Sequence, residues 1–223
     1  MSDSTLTARA VLLDMDGTLV NSDAVVERVW LRWAARHGLE PCEVLAVVHG
    51  RQGHLSMAIL LPDRPVEENF AENARMLAEE SADVDGVVAV AGALAMLGAL
   101  AGAPHALVTS ADDTLARVRM GAAGLPLPPL LITAEHVTAS KPDPEGFLLA
   151  AARLGVEPAD CLVLEDSEAG IAAGLAAGMR VLGVGPRAAA FGPTCHAADL
   201  TGVRIAHDSE GNISLTLAHH APA

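Results

Sequence analysis

The sequence predicts an α/β fold in which a doubly wound parallel sheet carries an inserted block of helices. Short runs of Val, Leu and Ile alternate with helix-length stretches, a pattern typical of βαβ units and a parallel sheet. One long segment, 22–86, interrupts that alternation because it contains no run typical of a strand. The expected architecture is therefore a Rossmann-like core with a small α-helical cap.

Five apolar runs are predicted to be strands of the core, each closed by a polar residue or a turn. They are 11–13, 106–108, 130–132, 162–164 and 181–184. Three helices are expected between the later strands, at 111–121, 145–154 and 168–177. A hairpin is expected over 204–217, because Glu210-Gly211-Asn212 forms a turn signal between two short apolar runs.

The inserted segment is predicted to be helical. Val26, Val29, Trp30 and Trp33 recur at helical spacing within 23–37. Further helices are expected at 43–48, 54–60 and 65–81. The last contains five glutamates that are interpreted as a solvated face: Glu67, Glu68, Glu72, Glu79 and Glu80. The predicted domains are a core of 1–21 and 87–223 and a cap of 22–86.

The stretch 86–103 is uncharged and long enough to span a bilayer. It is rich in Ala and Gly, which gain little on transfer to lipid, so a helix packed against the sheet is predicted and no membrane is expected. The opening residues lack the basic and apolar regions of a signal peptide. Three widely separated cysteines without a CxxC pair fit a reducing cytoplasm and argue against a zinc site.

The charge of the chain argues against two classes of partner. The 223 residues contain 28 acidic and 14 basic side chains, for a net charge of −14, and no run of Lys or Arg. Nucleic acid and anionic membrane surfaces are therefore not expected partners. His219-His220 is interpreted as too short a pair to form a metal site.

The strongest local signal is Asp14-Met15-Asp16-Gly17-Thr18, directly after the first predicted strand. Two carboxylates in one turn can divide the labour, with one as nucleophile and metal ligand and the other as general acid and base. A calcium loop is rejected because the following residues supply no further oxygen ligands. Thr109 and Glu165-Asp166 also follow predicted strands, where ligands of open α/β sheets bind.

Four motifs in order make the chain resemble the haloacid dehalogenase superfamily. They are Asp14-Met15-Asp16-Gly17-Thr18, Val108-Thr109-Ser110, Lys141-Pro142 and Glu165-Asp166. The inserted helices match that family's small cap. Within the family the chain looks most like bacterial phosphatases of hexose and polyol phosphates.

The resemblance implies a magnesium-dependent phosphatase acting on a small phosphorylated metabolite. Asp14 is then the nucleophile, which forms an aspartyl-phosphate, and Asp16 is the general acid and base. Lys141 is a fixed cation over nucleophile and phosphate. Mg²⁺ is expected on the side chains of Asp14 and Asp166 and the main-chain carbonyl of Asp16, with Glu165 behind them or as an occasional ligand.

Phosphate-binding and specificity roles are expected from two further segments. Thr109 is expected to hydrogen-bond the phosphate, and Ser110 to cap the next helix together with Asp113. His49 and Arg51 occupy the loop where related caps present substrate-specificity residues. Arg51 is either a clamp for the substrate's phosphate or hydroxyls, or a solvated loop arginine.

Three rival functions are weighed against phosphate hydrolysis. β-Phosphoglucomutases share all four motifs but carry a histidine and a lysine where this chain has Val26 and His49. Haloalkanoate dehalogenases lack the second acid, which is present here as Asp16. A catalytically silent binding protein would be expected to have lost a nucleophile, a metal ligand or the lysine, and none is lost. Hydrolysis of a phosphomonoester is therefore the expected reaction.

Overall fold

The computed structural model describes residues 4–217 and contains the expected parallel sheet. The strands are β1 (Ser4–Ala8), β2 (Ala10–Leu13), β3 (Val20–Asn21), β4 (Val88–Ala89), β5 (His105–Val108), β6 (Leu130–Ile132), β7 (Cys161–Glu165), β8 (Arg180–Val184), β9 (Cys195–Ala197), β10 (Val203–His207) and β11 (Ile213–Leu217). Six of them form one sheet in the order β6-β5-β2-β7-β8-β9, and every neighbouring pair is parallel. The α/β fold class is confirmed.

The central strands are apolar except for His105 at the start of β5 and Glu165 at the end of β7, because helices cover both faces of the sheet. Every residue of β2, β5 and β7 is buried. Leu12 of β2 lies between Ala106 of β5 and Val163 of β7. Continuous rather than alternating hydrophobic runs are the expected pattern for such doubly covered parallel strands.

Eight helices accompany the strands over the described residues. They are α1 (Asp23–His37), α2 (Pro41–Leu45), α3 (Gly53–Leu60), α4 (Val66–Ala82), α5 (Ala93–Ala99), α6 (Asp113–Ala122), α7 (Glu145–Leu154) and α8 (Glu168–Ala176). The inserted segment contains α1 to α4, close to the predicted ranges. The second of these helices begins two residues earlier than predicted, with Pro41 in its first turn, where a missing N–H costs nothing.

Tryptophan packing joins the inserted helices to the core beneath them. Trp30 and Trp33 meet edge to face with ring centroids 5.3 Å apart. Both side chains are buried, in the same hydrophobic cluster as Leu19 and Met76. The aromatic residues of α1 therefore serve packing, at the helical spacing that predicted the helix.

The prediction that all five glutamates of α4 face solvent is wrong for Glu72 and Glu80. These residues are only 6% and 7% exposed. They follow one another at four-residue intervals with Met76, so they share its inward face. Arginines compensate their charge, since Arg64 hydrogen-bonds Glu72 at 2.5 Å and holds the pKa of Glu72 near 2 even though burial opposes that shift.

The long helix expected at 86–103 is also wrong in extent. The only helix there is α5, and β4 precedes it, paired antiparallel with β3. Gly92 separates the two elements with φ of +87°, and a Cβ on it would lie 2.3 Å from the Leu200 carbonyl carbon. The helix therefore begins only after Gly92, whose left-handed conformation is not that of a right-handed helix. Within residues 4–217, no helix has the length and apolar character needed to cross a bilayer.

A second, three-stranded sheet lies outside the main one. The predicted hairpin is confirmed as β10 and β11, which pair antiparallel with Ile205 opposite Leu215. Strand β1 was not predicted, and it pairs antiparallel with the other edge of β11. The pair His219-His220 lies outside the described residues.

Candidate functional site

The polar residues predicted to form a site lie where the central strands end. Asp14 follows β2, Thr109 follows β5 and Asp166 follows β7. The Asp14 N–H donates to the Leu164 carbonyl at 3.0 Å, which ties the first turn to the neighbouring strand. The three side chains line one cleft of about 770 Å³, part of it open to solvent, between the sheet and the inserted helices.

The turn after β2 brings the first motif against the fourth. Gly17 has φ of +81°, a left-handed conformation that favours glycine. A Cβ at Gly17 would lie 2.1 Å from Oδ2 of Asp166. Glycine at this position therefore provides the space that allows the carboxylates of the two motifs to approach.

Lys141 lies beneath the cleft and binds the acidic residues from below. Its Nζ donates to Oδ1 of Asp14 at 2.5 Å, to Oε1 of Glu165 at 2.8 Å and to the Val108 carbonyl at 3.0 Å. The side chain is 7% exposed. The two carboxylates hold the pKa of Lys141 above its ordinary value against the opposing effect of burial, so the ammonium keeps its charge.

Negative charge exceeds positive charge at the centre of this cluster. Asp14, Glu165 and Asp166 each place one carboxylate oxygen within 4.8 Å of the others, and all three are buried. Burial, and then Glu165, raise the pKa of Asp14 above its ordinary value and that of Asp166 to about 7. These three carboxylates face one ammonium, that of Lys141, and an all-oxygen cluster with this excess of negative charge fits a hard divalent cation such as Mg²⁺.

Glu165 is fully enclosed by donors from the protein. Its Oε2 accepts from the backbone N–H of Ser167 at 2.7 Å and from the Ser167 hydroxyl at 2.9 Å, while Oε1 accepts from Lys141. A Cβ at Gly170 would lie 1.6 Å from Oε1 of Glu165, and one at Gly174 would lie 2.8 Å from Val181. Helix α8 therefore approaches the sheet closely at Gly174, and Gly170 makes room for Glu165.

Asp16 is held by two residues that the sequence did not identify. The Ser22 hydroxyl donates to Oδ1 of Asp16 at 2.6 Å, and Nη1 of Arg119 contacts Oδ2 at 2.8 Å. Arg119 also pairs with Glu80 of α4. Helical spacing offered a signal for Arg119 and for Glu80. Arg119 shares a helix face with Leu115, and Glu80 lies one turn after Met76. A charged residue on an apolar helix face is unusual without a buried partner.

The expected cap of α6 is wrong. Asp112 is the N-cap residue, and its side chain accepts the Leu115 N–H at 2.7 Å. Ser110 instead donates its hydroxyl to the Gly50 carbonyl at 3.2 Å, across the cleft to the inserted segment. The chain runs two residues further before the helix begins, so the serine is too early to cap it.

Replacing Asp112 by Ala is expected to lower the free energy of unfolding by about 1 kcal/mol, because it removes this cap. The matched variant Asp113→Ala removes only an exposed pair with Arg117 and is expected to cost clearly less, because water screens exposed pairs. Urea unfolding of both variants measures the difference. Equal losses would contradict the assignment of Asp112 as the cap.

His49 and Arg51 face the same cleft from the loop before α3. His49 is half-buried, and its Nδ1 lies 3.9 Å from Oδ1 of Asp23. Burial, and then the charge of Arg187, lower the pKa of His49, so this imidazole is neutral at pH 7. Nε of Arg51 is buried and has no hydrogen-bond partner within residues 4–217.

Arg187 is a further cleft residue that no motif predicted. It follows β8 and is 42% exposed, and its Nη2 lies 3.2 Å from Oδ2 of Asp166 and 3.4 Å from Oδ1 of Asp23.

Seven of the nine predicted site residues line the cleft directly: Asp14, Asp16, His49, Arg51, Thr109, Ser110 and Asp166. Lys141 and Glu165 complete its floor through the bonds already described.

Comparison with known proteins connects this cleft to a family. Residues 8–178 match the family model described as haloacid dehalogenase-like hydrolase. Hexitol phosphatase A of Escherichia coli K12 is 44% identical over 178 residues, which cover 79% of this chain and 82% of that protein. Validoxylamine A 7'-phosphate phosphatase of Streptomyces hygroscopicus subsp. limoneus is 36% identical over 183 residues, covering 79% and 85%.

A solved structure shares the fold at lower identity. The β-phosphoglucomutase of Clostridium difficile superposes with a TM-score of 0.76 at 20% identity, over 86% of this chain and 92% of that one. At this identity the likeness concerns the fold alone.

Proposed function

The chain belongs to the haloacid dehalogenase-like hydrolases, and from this premise we propose that it is a phosphatase of small sugar or polyol phosphates. The observation that carries the proposal is the contact of Lys141 with both Asp14 and Glu165 beside the Asp166 carboxylate. A carboxylate nucleophile, a fixed cation and an oxygen cluster for a metal are what phosphoryl transfer requires.

Asp14 is the proposed nucleophile. Lys141 holds its Oδ1, which leaves Oδ2 for attack on phosphorus from the cleft side. Attack forms the bond between Oδ2 and phosphorus and breaks the ester P–O bond, whose electron pair stays on the leaving oxygen. The product of this step is an aspartyl-phosphate.

Asp16 is the proposed general acid and base. It lies two residues after the nucleophile, and its carboxyl group lines the same cleft. It gives a proton to the leaving oxygen and then takes one from the water that attacks the aspartyl-phosphate, which releases phosphate and restores Asp14.

Asp14 and Asp166 are the proposed side-chain ligands of Mg²⁺, together with the main-chain carbonyl of Asp16. When bound, Mg²⁺ would neutralise charge on the transferring phosphoryl group. Glu165 is assigned the role of holding Lys141 and the start of α8, because protein donors already engage both of its oxygens. Thr109 lies at the end of β5, within reach of a phosphate over Asp14.

The segment 22–86 is the proposed cap over this site, and it supplies one wall of the cleft. That wall combines the apolar ring of Trp30 with the polar groups of Arg51 and Asn73. A polyol or sugar presents both C–H faces and hydroxyl groups, so a mixed wall of this kind suits it. The two relatives are named as phosphatases, one of hexitols and one of validoxylamine A 7'-phosphate, which supports a substrate of this kind.

Phosphate release from a panel of esters tests the proposal. The panel contains hexose phosphates, hexitol phosphates, glycerol phosphate, phosphoglycolate and p-nitrophenyl phosphate. Release that requires Mg²⁺ and stops with EDTA is the expected result, with a hexose or hexitol phosphate giving the highest kcat/KM. An absence of release from every member would contradict the proposal.

A mutase is the second candidate, and product analysis separates the two reactions. A mutase would return a sugar with its phosphate at a new position and release little free phosphate. Val26 and His49 line this cleft at the positions where the mutases carry a histidine and a lysine, and this difference supports hydrolysis. A silent binding protein would leave every ester unchanged.

Arg51→Ala is expected to raise KM for the best sugar or polyol phosphate about tenfold or more and to change kcat little. In the wild type the Arg51 guanidinium is proposed to contact the bound substrate as well as the transition state, so its loss weakens both equally. Turnover of p-nitrophenyl phosphate should stay near the wild-type value. Arg75, an exposed arginine of the same segment that does not line the cleft, provides the matched control variant Arg75→Ala. Equal losses on both substrates, or no rise in KM, would remove the specificity role.

A further inference from the structure

Arg119 connects the proposed acid and base to the inserted helices. Its Nη1 lies 2.8 Å from Oδ2 of Asp16, and its Nη2 donates to Oε2 of Glu80 at 2.5 Å. Arg119 belongs to α6 of the core and Glu80 to α4 of the inserted segment, and these two helices pack together. One guanidinium therefore bridges a carboxylate of the core and a carboxylate of the proposed cap.

All parts of this bridge except Asp16 are shielded from solvent. The side chains of Arg119 and Glu80 are 4% and 9% exposed, whereas that of Asp16 is 30% exposed towards the cleft. Ion pairs at the surface contribute little to stability, whereas removing one partner of a buried pair is costly because it leaves the other charge uncompensated. The planar fork of arginine can hold both carboxylates at once, which a lysine ammonium cannot do with the same geometry.

The Asp16 carboxyl group is thereby held from two sides. Ser22 donates to Oδ1 at 2.6 Å while Arg119 holds Oδ2. Proton transfer to a leaving oxygen requires the acid to lie within hydrogen-bond reach in the correct direction. Small displacements of such a group are costly because the reaction depends on near-attack geometry.

We infer that Arg119 is a positioning residue that aims the Asp16 carboxyl group at the leaving oxygen, and that Glu80 of the proposed cap holds Arg119 in place for that task. This inference rests on the proposed function. When the ester P–O bond breaks, its electron pair goes to the leaving oxygen, which takes the proton from Asp16. The position of α4 in this structure thus supports the acid, since it brings Glu80 to Arg119.

Leaving groups of different basicity separate this role from a structural one. An alkyl ester leaves as an alkoxide and needs a proton, whereas p-nitrophenyl phosphate leaves as a stabilised phenolate and does not. The ratio kcat/KM reports the steps up to formation of the aspartyl-phosphate, and it is therefore independent of the later attack by water. A misaimed acid should harm only the alkyl ester, and a distorted site should harm both.

The test compares Arg119→Lys, Glu80→Gln and Glu79→Gln with the wild type. The alkyl ester with the highest kcat/KM in the panel serves as substrate. For this ester, Arg119→Lys is expected to lower kcat/KM about tenfold or more, and Glu80→Gln several-fold. These losses are part of the rate enhancement that a general acid contributes. For p-nitrophenyl phosphate, both variants should remain within about threefold of the wild type. The double variant should be no worse than Arg119→Lys alone, because Glu80 acts through Arg119.

Glu79→Gln is the matched control, because Glu79 is the neighbouring residue of α4, is 42% exposed and pairs with Arg32 on the surface. It should leave both substrates at wild-type rates. Equal losses on the two esters, or no loss in either bridge variant, would overturn the inference. If Arg119→Lys does not fold, Glu80→Gln decides by the same comparison. Wild-type activity on the two esters tests the proposed function separately.

Discussion

Asp14→Asn is expected to lower kcat by about 10⁴-fold or more on every ester of the panel. The amide cannot attack phosphorus, so no aspartyl-phosphate forms and no other group in the cleft replaces it. Rapid acid quenching of the wild type with labelled substrate should trap phosphate on the protein, and the variant should trap none. The variant should still fold, because burial and Glu165 already disfavour a charge on Asp14.

Asp63→Asn provides the matched control for this substitution. Asp63 is exposed in the turn before α4 and does not line the cleft, and the substitution is the same. It should retain wild-type kcat and wild-type trapping. Asp14→Asn with more than about a hundredth of wild-type kcat would contradict the assignment of the nucleophile.

Lys141→Met is expected to remove activity and also to lower the free energy of unfolding by about 3–5 kcal/mol at pH 8 without added metal. Methionine fills a similar volume over the Phe147 ring, which lies 5.2 Å from Nζ. It leaves the buried carboxylates of Asp14 and Glu165 without their cation. The loss should therefore arise from uncompensated charge rather than from a cavity.

The pH dependence of this loss has a definite sign. Lys141 lowers the pKa of Asp14, so its removal raises that already elevated pKa further. A carboxyl group whose folded pKa exceeds its unfolded value, about 3.9 for Asp, stabilises the fold below the unfolded pKa and loses this contribution as pH rises through the folded pKa. The difference in unfolding free energy between wild type and variant should therefore be smaller at pH 5 than at pH 8.

Urea unfolding at the two pH values measures this difference, with Arg117→Met as the control. Arg117 is 56% exposed and pairs only with Asp113, four residues earlier on the same helix. Its loss should cost little at either pH because exposed pairs are screened by water. A loss for Lys141→Met below about 1 kcal/mol, or one that does not change with pH, would show that Lys141 does not compensate the acidic cluster.

The fold class and the motif residues could be predicted because they depend on short stretches of chain. Apolar runs of three or four residues marked the strands of the main sheet, and each polar residue that follows a central strand lies at the same edge of the sheet by the geometry of a parallel sheet. Helical spacing likewise predicted α1 from Trp30 and Trp33. These signals are local, so the sequence alone contains them.

Most partners of these residues were decided by the tertiary structure. Lys141 lies 127 residues from Asp14 in the chain, so no local pattern pairs them, and only the family resemblance placed that lysine over the nucleophile. Arg119 lies 39 residues from Glu80, and nothing in the sequence paired these two. Burial of Glu80 and Glu72 required arginines brought from other elements. Strand β1 required an edge of β11 that exists only after folding.

An α/β fold with acidic residues at the ends of its central strands could thus be predicted from the sequence, because the geometry of a parallel sheet brings those strand ends to one edge. The contact of Ser110 with Gly50, in place of a cap on α6, and the bridge of Arg119 from Asp16 to α4 could be seen only after folding. The physical reason is that a charged or polar side chain takes its role from the donors and acceptors around it. Those neighbours come from distant parts of the chain.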